Sequence, residues 1–276
     1  MGIIDFILNL AGLLLWLNWR SVRFDPLGKR TPATLIGTLR RAEPRRWRRW
    51  HLLAALGSLL FLRAVLYWQI GASAGWVAGK LNLGIIELSF RSDSFGHILL
   101  FSFFSFGLTL GVFYLWLLLF SILAGPEPFH RLVRIQLGPI DRWPNVMKFS
   151  LPLVFSAILW WLVSWPLSWL AVVPQPVSAM HRIEESLVIG LGSYLAWKFA
   201  AGALLVLYLL NSYIYFGKHP FWNYVTAEAQ TLLRPLRAAP LRAGRADFTP
   251  IVGVALVFLI AEFAERGLAA LLRLPF

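Results

Sequence analysis

The chain has 276 residues, of which 58% are hydrophobic and 14% charged, and its mean hydropathy is +0.66. A soluble domain carries roughly 25% charged residues, so this chain lacks the polar surface to cover a water-soluble globule of its size. It has no cysteine, which excludes disulfides, thiol catalysis, Cys-ligated zinc, iron–sulfur clusters and c-type haem attachment.

A bilayer core of about 30 Å needs about 20 apolar residues at about 1.5 Å per residue. Six segments fit: 2–19, 52–70, 97–124, 149–172, 186–216 and 249–272. The expected fold is therefore an all-α polytopic membrane bundle. In segment 2–19, Asp5 and Asn9 stand one turn apart on a face continued by Gly12 and Trp16. That stripe fits a helix packed against protein or one lying in the interface.

The loop that follows contains Arg45, Arg46, Arg48 and Arg49 interleaved with Trp47 and Trp50. Beside a membrane helix, the nearest partners for such a run are anionic lipid headgroups, worth about 1 kcal/mol per basic residue. Basic-aromatic runs also bind nucleic acid, but proximity to the bilayer favours lipid. In segment 52–70, Arg63 falls mid-span, and Glu262 falls in the outer part of 249–272. Counted from the inner boundary, Arg63 lies near ~17 Å and Glu262 near ~20 Å, so they are expected to form an intramembrane ion pair. Lys198, farther out, is expected to reach Glu265 or water. Segment 97–124 carries Gly107-x-x-x-Gly111, which with Gly202 and Ala203 reads as close helix packing.

Lysine and arginine set the orientation. Loops 20–51, 125–148 and 217–248 hold nineteen of them, and the opposite side holds five. By the positive-inside rule the three basic loops are cytoplasmic.

The second half reads twice, over 97–172 and 186–272. Each copy has a long apolar helix, an amphipathic arm, a Pro-containing elbow and a returning helix. The first elbow is Gly138-Pro139-Ile140-Asp141 and the second Arg234-Pro235-Leu236-Arg237. The arms carry Phe129, Leu132, Val133 and Leu137, and Phe221, Val225, Ala229, Leu232 and Leu233, at helical spacing. Ser150 and Thr249 are expected as helix caps, with Pro152 and Pro250 in the first turn. His130 and His219 hold similar places in the two copies, yet without a carboxylate on one face they make a poor metal site. The chain has no nucleophile elbow, zincin motif, P-loop or dinucleotide fingerprint. No metal or cofactor is expected.

Leu232-Leu233-Arg234-Pro235-Leu236-Arg237, then Pro240, Gly244 and Asp247-Phe248-Thr249-Pro250, resembles the YggT (YlmG) family of bacterial and plastid membrane proteins. The match is close in order and spacing over 186–272 and weaker over 97–172, where the Arg-Pro-x-Arg elbow is missing. Residues 1–96 look like an N-terminal extension. The resemblance implies a non-enzymatic multi-pass protein of the bacterial inner membrane, a scaffold or assembly factor for membrane complexes or division-linked organisation. Its partners would be the lipid bilayer, anionic lipids and another membrane protein. The implied docking or lipid-binding elbow is Arg234, Pro235, Arg237, Asp247, Thr249 and Pro250. A small transporter or channel of osmotic stress is the alternative. Several polar residues on one mid-depth stripe would mark a transporter, and Arg63 and Glu262 stand nearly alone.

Overall fold

The computed structural model describes residues 2–24, 45–71, 80–91, 94–123, 129–175, 178–214, 219–238, 242–243 and 246–273. The architecture is helical, in this order: α1 (Ile3–Phe24), α2 (Arg45–Ile70), α3 (Phe95–Leu123), α4 (Phe129–Leu137), α5 (Asn145–Trp169), α6 (Ala179–Gly192), α7 (Trp197–Tyr213), α8 (Pro220–Leu232) and α9 (Thr249–Arg273). Short strands β1 (Lys80–Asn82) and β2 (Glu87–Ser89) pair with each other, as do β3 (Arg242–Ala243) and β4 (Ala246–Asp247). Among the described residues, five stretches are long and apolar enough to cross a membrane: Ile3–Arg20, Trp50–Ile70, Phe95–Leu123, Asn145–Trp169 and Ala179–Tyr213. The chain is built as a membrane protein. Helix α9, the sixth expected span, is interrupted by Glu262, Glu265 and Arg266 and falls outside that set of five.

The chain divides into two compact units, 1–81 with 89–110, and 82–88 with 111–276; the division falls within α3. In the first unit α1 and α2 run antiparallel. Leu15 and Trp16 pack on Leu56, Leu60 and Phe106, and Gly12 lies so close that an added Cβ would stand 2.8 Å from the Phe106 ring. Packed lengthwise in this way, α1 is held against protein along the stripe of Asp5, Asn9, Gly12 and Trp16. Farther along, Ala64 and Ile98 are buried with Tyr67, Phe95 and Leu99 around them. Ser102 Oγ donates to the Leu60 carbonyl at 2.8 Å, which ties α3 to α2 with a polar group satisfied inside apolar surroundings.

In the second unit α5 and α6 pack at a small-residue contact. A Cβ on Gly190 would meet the Leu153 carbonyl at 2.6 Å and the Ala157 Cβ at 3.1 Å, so only glycine permits this approach. The span expected at 186–216 instead runs from Ala179 to Tyr213, and Ser193–Ala196 tightens into a 3-10 turn between α6 and α7. The tightened turn carries a reciprocal clasp: Trp116 Nε1 donates to the Ala196 carbonyl at 2.8 Å, and Trp197 Nε1 to the Leu115 carbonyl at 2.9 Å. Such bonds satisfy both indole N–H groups where water is excluded. Trp116 therefore makes a directed polar contact as well as packing. Helix α9 packs along α7, and Gly202 accommodates the Phe258 ring, which an added Cβ would meet at 2.8 Å. Gly107 and Gly111 do not form the expected tight contact. Nothing described lies within 4 Å of a Cβ built on either, because their face of α3 is exposed.

Candidate functional site

The second elbow is built on α8. Pro220 opens this helix, and His219 Nδ1 accepts from the Phe221 N–H at 3.2 Å, capping it. Tyr224, Val225, Glu228 and Ala229 form its buried face. Leu204, Leu205, Ala229 and Leu233 make the core beneath it, with Tyr208, Leu232, Leu236, Val254 and Val257 packed around. Proline at position 235 ends the α-helix, and Arg234–Ala238 turns as a 3-10 segment. Gly253 of α9 receives the turn: a Cβ there would stand 2.5 Å from Leu233 Cδ2 and 3.6 Å from Leu236 Cδ1. Leucines thus anchor the corner inward, while Arg234 and Pro235 are exposed.

Beyond the turn, Arg242 pairs in register with Asp247 across the β3–β4 ladder, and Thr249 and buried Pro250 start α9. The side chains of Arg237 and Asp247 lie outside the described residues, as do those of Arg45, Arg46, Arg48 and Arg49 at the start of α2. Glu228 is fully buried. Burial, and then the Glu228 side chain beside it, push the Tyr224 phenol above its ordinary range.

The first elbow has a different chemistry. Gly138 adopts a φ of +65°, a left-handed conformation that glycine takes without steric cost. The chain then turns through Gly138–Arg142 and buries Asp141. Asp141 Oδ1 accepts from Ser121 Oγ at 2.6 Å, and Oδ2 accepts from Arg134 Nε at 3.0 Å. Lys148 Nζ stands 3.9 Å from Oδ1, and His130 Nε2 stands 3.7 Å from Oδ2. Lys148, itself buried, also donates to the Ser121 carbonyl at 3.4 Å. Burial opposes ionisation of Asp141. The bonds from Ser121 and Arg134, with His130 and Lys148 close by, outweigh it and hold the carboxyl below its ordinary value. The two histidines do unrelated work: His219 caps a helix, and His130 faces a carboxylate.

Sequence spacing pointed to Arg63–Glu262 as the intramembrane pair; the structure corrects this. Arg63 is 1% exposed and pairs with Asp5 of α1 at 2.5 Å. Its guanidinium also donates to Asn9 Oδ1 at 2.9 Å and Ser105 Oγ at 3.0 Å. Tyr67 O–H donates to Asp5 at 2.7 Å, and Asn9 Nδ2 to Ser105 at 3.0 Å. The Phe101 ring lies 5.2 Å from the guanidinium carbon. Glu262 is an exposed partner of Arg266, one turn along the same helix, at 2.9 Å. Depth alone does not choose the partner, because Asp5 stands at the level of Arg63 too: α1 and α2 run antiparallel with Gly12 beside Leu56. The polar stripe of Asp5 and Asn9 was the signal that identified the true partner. Lys198 does reach Glu265, at 2.9 Å.

Two further corrections concern the start of α5. Helix α5 begins at Asn145 after Pro144, so Ser150 lies inside it and donates to the Met147 carbonyl. Pro152 is buried within the helix. Spacing alone does not reveal the Asp141 centre, because the first elbow departs from the Arg-Pro-x-Arg pattern. The signal lay in His130 and Arg134 one turn apart, with Asp141 seven residues beyond Arg134. Among the described residues, no group of three His, Cys, Asp or Glu could hold a metal ion. No protein-family model, curated protein or solved structure matches this chain.

Proposed function

We propose that this protein is a YggT-type scaffold or assembly factor of the bacterial inner membrane, with no catalytic role. It has six spans, cytoplasmic basic loops and two copies of a helix–arm–elbow–helix unit. The order α3, α4, 3-10 turn, α5 and the order α7, α8, 3-10 turn, α9 support the duplicated unit. The observation that carries the functional reading is the division of labour at the second elbow. Leu233 and Leu236 are seated on Gly253, and Arg234 and Pro235 stand outside. A guanidinium held outward on an anchored corner suits a carboxylate or phosphate of a partner. Asp247, Thr249 and Pro250 lead the chain from that corner into α9.

The experiment is crosslinked recovery of partners from native membranes, comparing the wild type with the double variant Arg234→Lys, Arg237→Lys. Lysine keeps the charge and loses the bidentate fork. Loss of partners with unchanged membrane insertion is the expected result. Unchanged recovery would leave these arginines a topological role only.

The alternative of a small osmotic-stress transporter or channel draws on the Arg63 network, because buried charge in a membrane often marks a pathway. In that case Asp5→Asn would abolish solute or ion flux in vesicles while leaving partner recovery intact. As a scaffold's structural staple, the same change would lower bundle stability and alter no flux.

A further inference from the structure

We propose that the hairpin of β1 and β2 is a re-entrant segment whose polar face lines a water-filled vestibule. The vestibule opens at the membrane face from which the hairpin enters and admits water and small hydrophilic solutes. It goes beyond the scaffold reading and does not depend on it.

Helices α2 and α3 are each long and apolar enough to cross a membrane, so the chain between them leaves and returns at one face. Ser121, near the end of α3, donates to Asp141, and Lys148, near the start of α5, donates to the Ser121 carbonyl. The end of α3 therefore shares its face with Asn145, and the hairpin enters from the face of Trp169.

The depth of the tip follows from what it touches. Residues 82–88 belong to the second unit and pack there on the junction of α6 and α7. A Cβ on Gly192 would stand 3.3 Å from Ile85 Cγ1, and one on Gly84 would stand 3.7 Å from Leu195 Cδ1. Helix α6 runs antiparallel to α5: Gly190 abuts Leu153 and Ala157, and the Tyr194 ring stacks on Phe149 at 5.2 Å. Gly192 thus lies near the level of Leu153, which is ~24 Å of helix from Trp169 at ~1.5 Å per residue. A bilayer core is about 30 Å thick, so the tip passes its middle. In the first unit the stem is inside as well. Phe90 packs on Phe101 at 5.7 Å and Phe104 at 6.1 Å, ~9–14 Å past the start of α3.

The backbone at that depth is not helical. Leu83 N–H donates to the Ile86 carbonyl at 2.9 Å, and Gly84, at a φ of +95°, donates its N–H to Asn82 Oδ1 at 2.6 Å. These bonds close the turn, but each strand of a two-stranded ladder still has an outer edge of N–H and C=O groups. Such backbone is tolerated within a membrane only where it is buried in protein or faces water. Protein covers one face, where Leu81 and Leu88 are buried. The other face is open. Both strands alternate exposed, buried, exposed, which turns Asn82 and Glu87 outward. An amide and a carboxylate facing hydrocarbon at that depth are costly, and facing water they are not.

The experiment uses the full chain in nanodiscs. It lacks cysteine, so single cysteines report on their own sites. Asn82→Cys and Glu87→Cys are expected to react with a trimethylammonium thiol reagent about a hundredfold faster than Ile158→Cys, because charge enters hydrocarbon poorly. Ile158 is exposed on α5 and follows Ala157, so it stands near the level of Gly190. A bimane label there should be quenched by brominated acyl chains. Ile85→Cys with Gly192→Cys should crosslink on mild oxidation, which fixes the tip at that level.

Reaction of Glu87→Cys as slow as that of Ile158→Cys would overturn the proposal, since this variant keeps the Asn82 turn and its face would then be covered by lipid or by a second copy. So would fast reaction at Ile158→Cys without quenching, which would put that level outside the bilayer. Absence of the crosslink in monodisperse protein would overturn it too.

Discussion

The two elbows share an outline and oppose each other in chemistry. Each is an arm, a 3-10 turn and a returning helix. In the first, a carboxylate is inside and binds the corner together through Ser121, Arg134, His130 and Lys148. In the second, leucines are inside, seated on Gly253, and an arginine is outside. A similar backbone corner is thus stabilised once by electrostatics and once by packing. The packed corner leaves Arg234 exposed. The first corner keeps part of its charge for itself.

Substitutions should separate the two. Asp141→Ala leaves Lys148 buried without its carboxylate, and breaking a buried charge pair costs about 3–5 kcal/mol. Loss of monodisperse protein on mild heating would report it; an unchanged thermal midpoint would mean that Asp141 holds nothing. Gly253→Leu should cost about 1–3 kcal/mol by overpacking under Leu233 and Leu236, with the first elbow unaffected. Site-specific proteolysis near Ala239 would read that loosening.

pH should act in opposite directions. Asp141 is held below its ordinary value, so its contribution is present above about pH 4 and fades as pH falls through the folded value. Tyr224 is held above its ordinary value of 10, so its contribution is present below pH 10 and fades as pH rises beyond it. A dye at the first elbow should respond at the acid limb and one at the second at the alkaline limb; coincident limbs would erase the contrast. The smallest effects belong to single arginines. Arg134→Ala should cost about 1 kcal/mol for a half-exposed charged hydrogen bond, and Arg234→Ala less than about 0.5 kcal/mol, as for an exposed surface position. Denaturation midpoints in the same detergent would rank them.

Much of this was legible in the residues. Apolar runs located the five stretches that can cross a membrane, because a bilayer demands length and hydrophobicity together. Of the arm stripes, Val133 and Leu137, and Val225, Ala229 and Leu233, are buried, whereas Leu132 is exposed. Prolines 139 and 235 mark where the arms end. What was not legible was adjacency. The sequence shows that Arg63 needs a carboxylate, but not that α1 lies beside it with Asp5 in reach. It shows Gly107 and Gly111 at packing distance in spacing, but not that nothing described lies within 4 Å of a Cβ on either. The Asp141 centre draws on four elements, α3, α4, the turn and α5, and no local pattern announces such a gathering. Ser150 failed as a cap because Pro144 starts the helix earlier.

The central claim is that the packed second elbow docks a protein and the charged first elbow does not. Crosslinked recovery from native membranes can be run in parallel on two variants: Arg234→Lys with Arg237→Lys, and Arg131→Gln with Arg134→Gln and Arg142→Gln. The account predicts that only the first variant loses its protein partners while both insert normally. Retention of partners by the Lys variant, or their loss from the Gln variant alone, would contradict it.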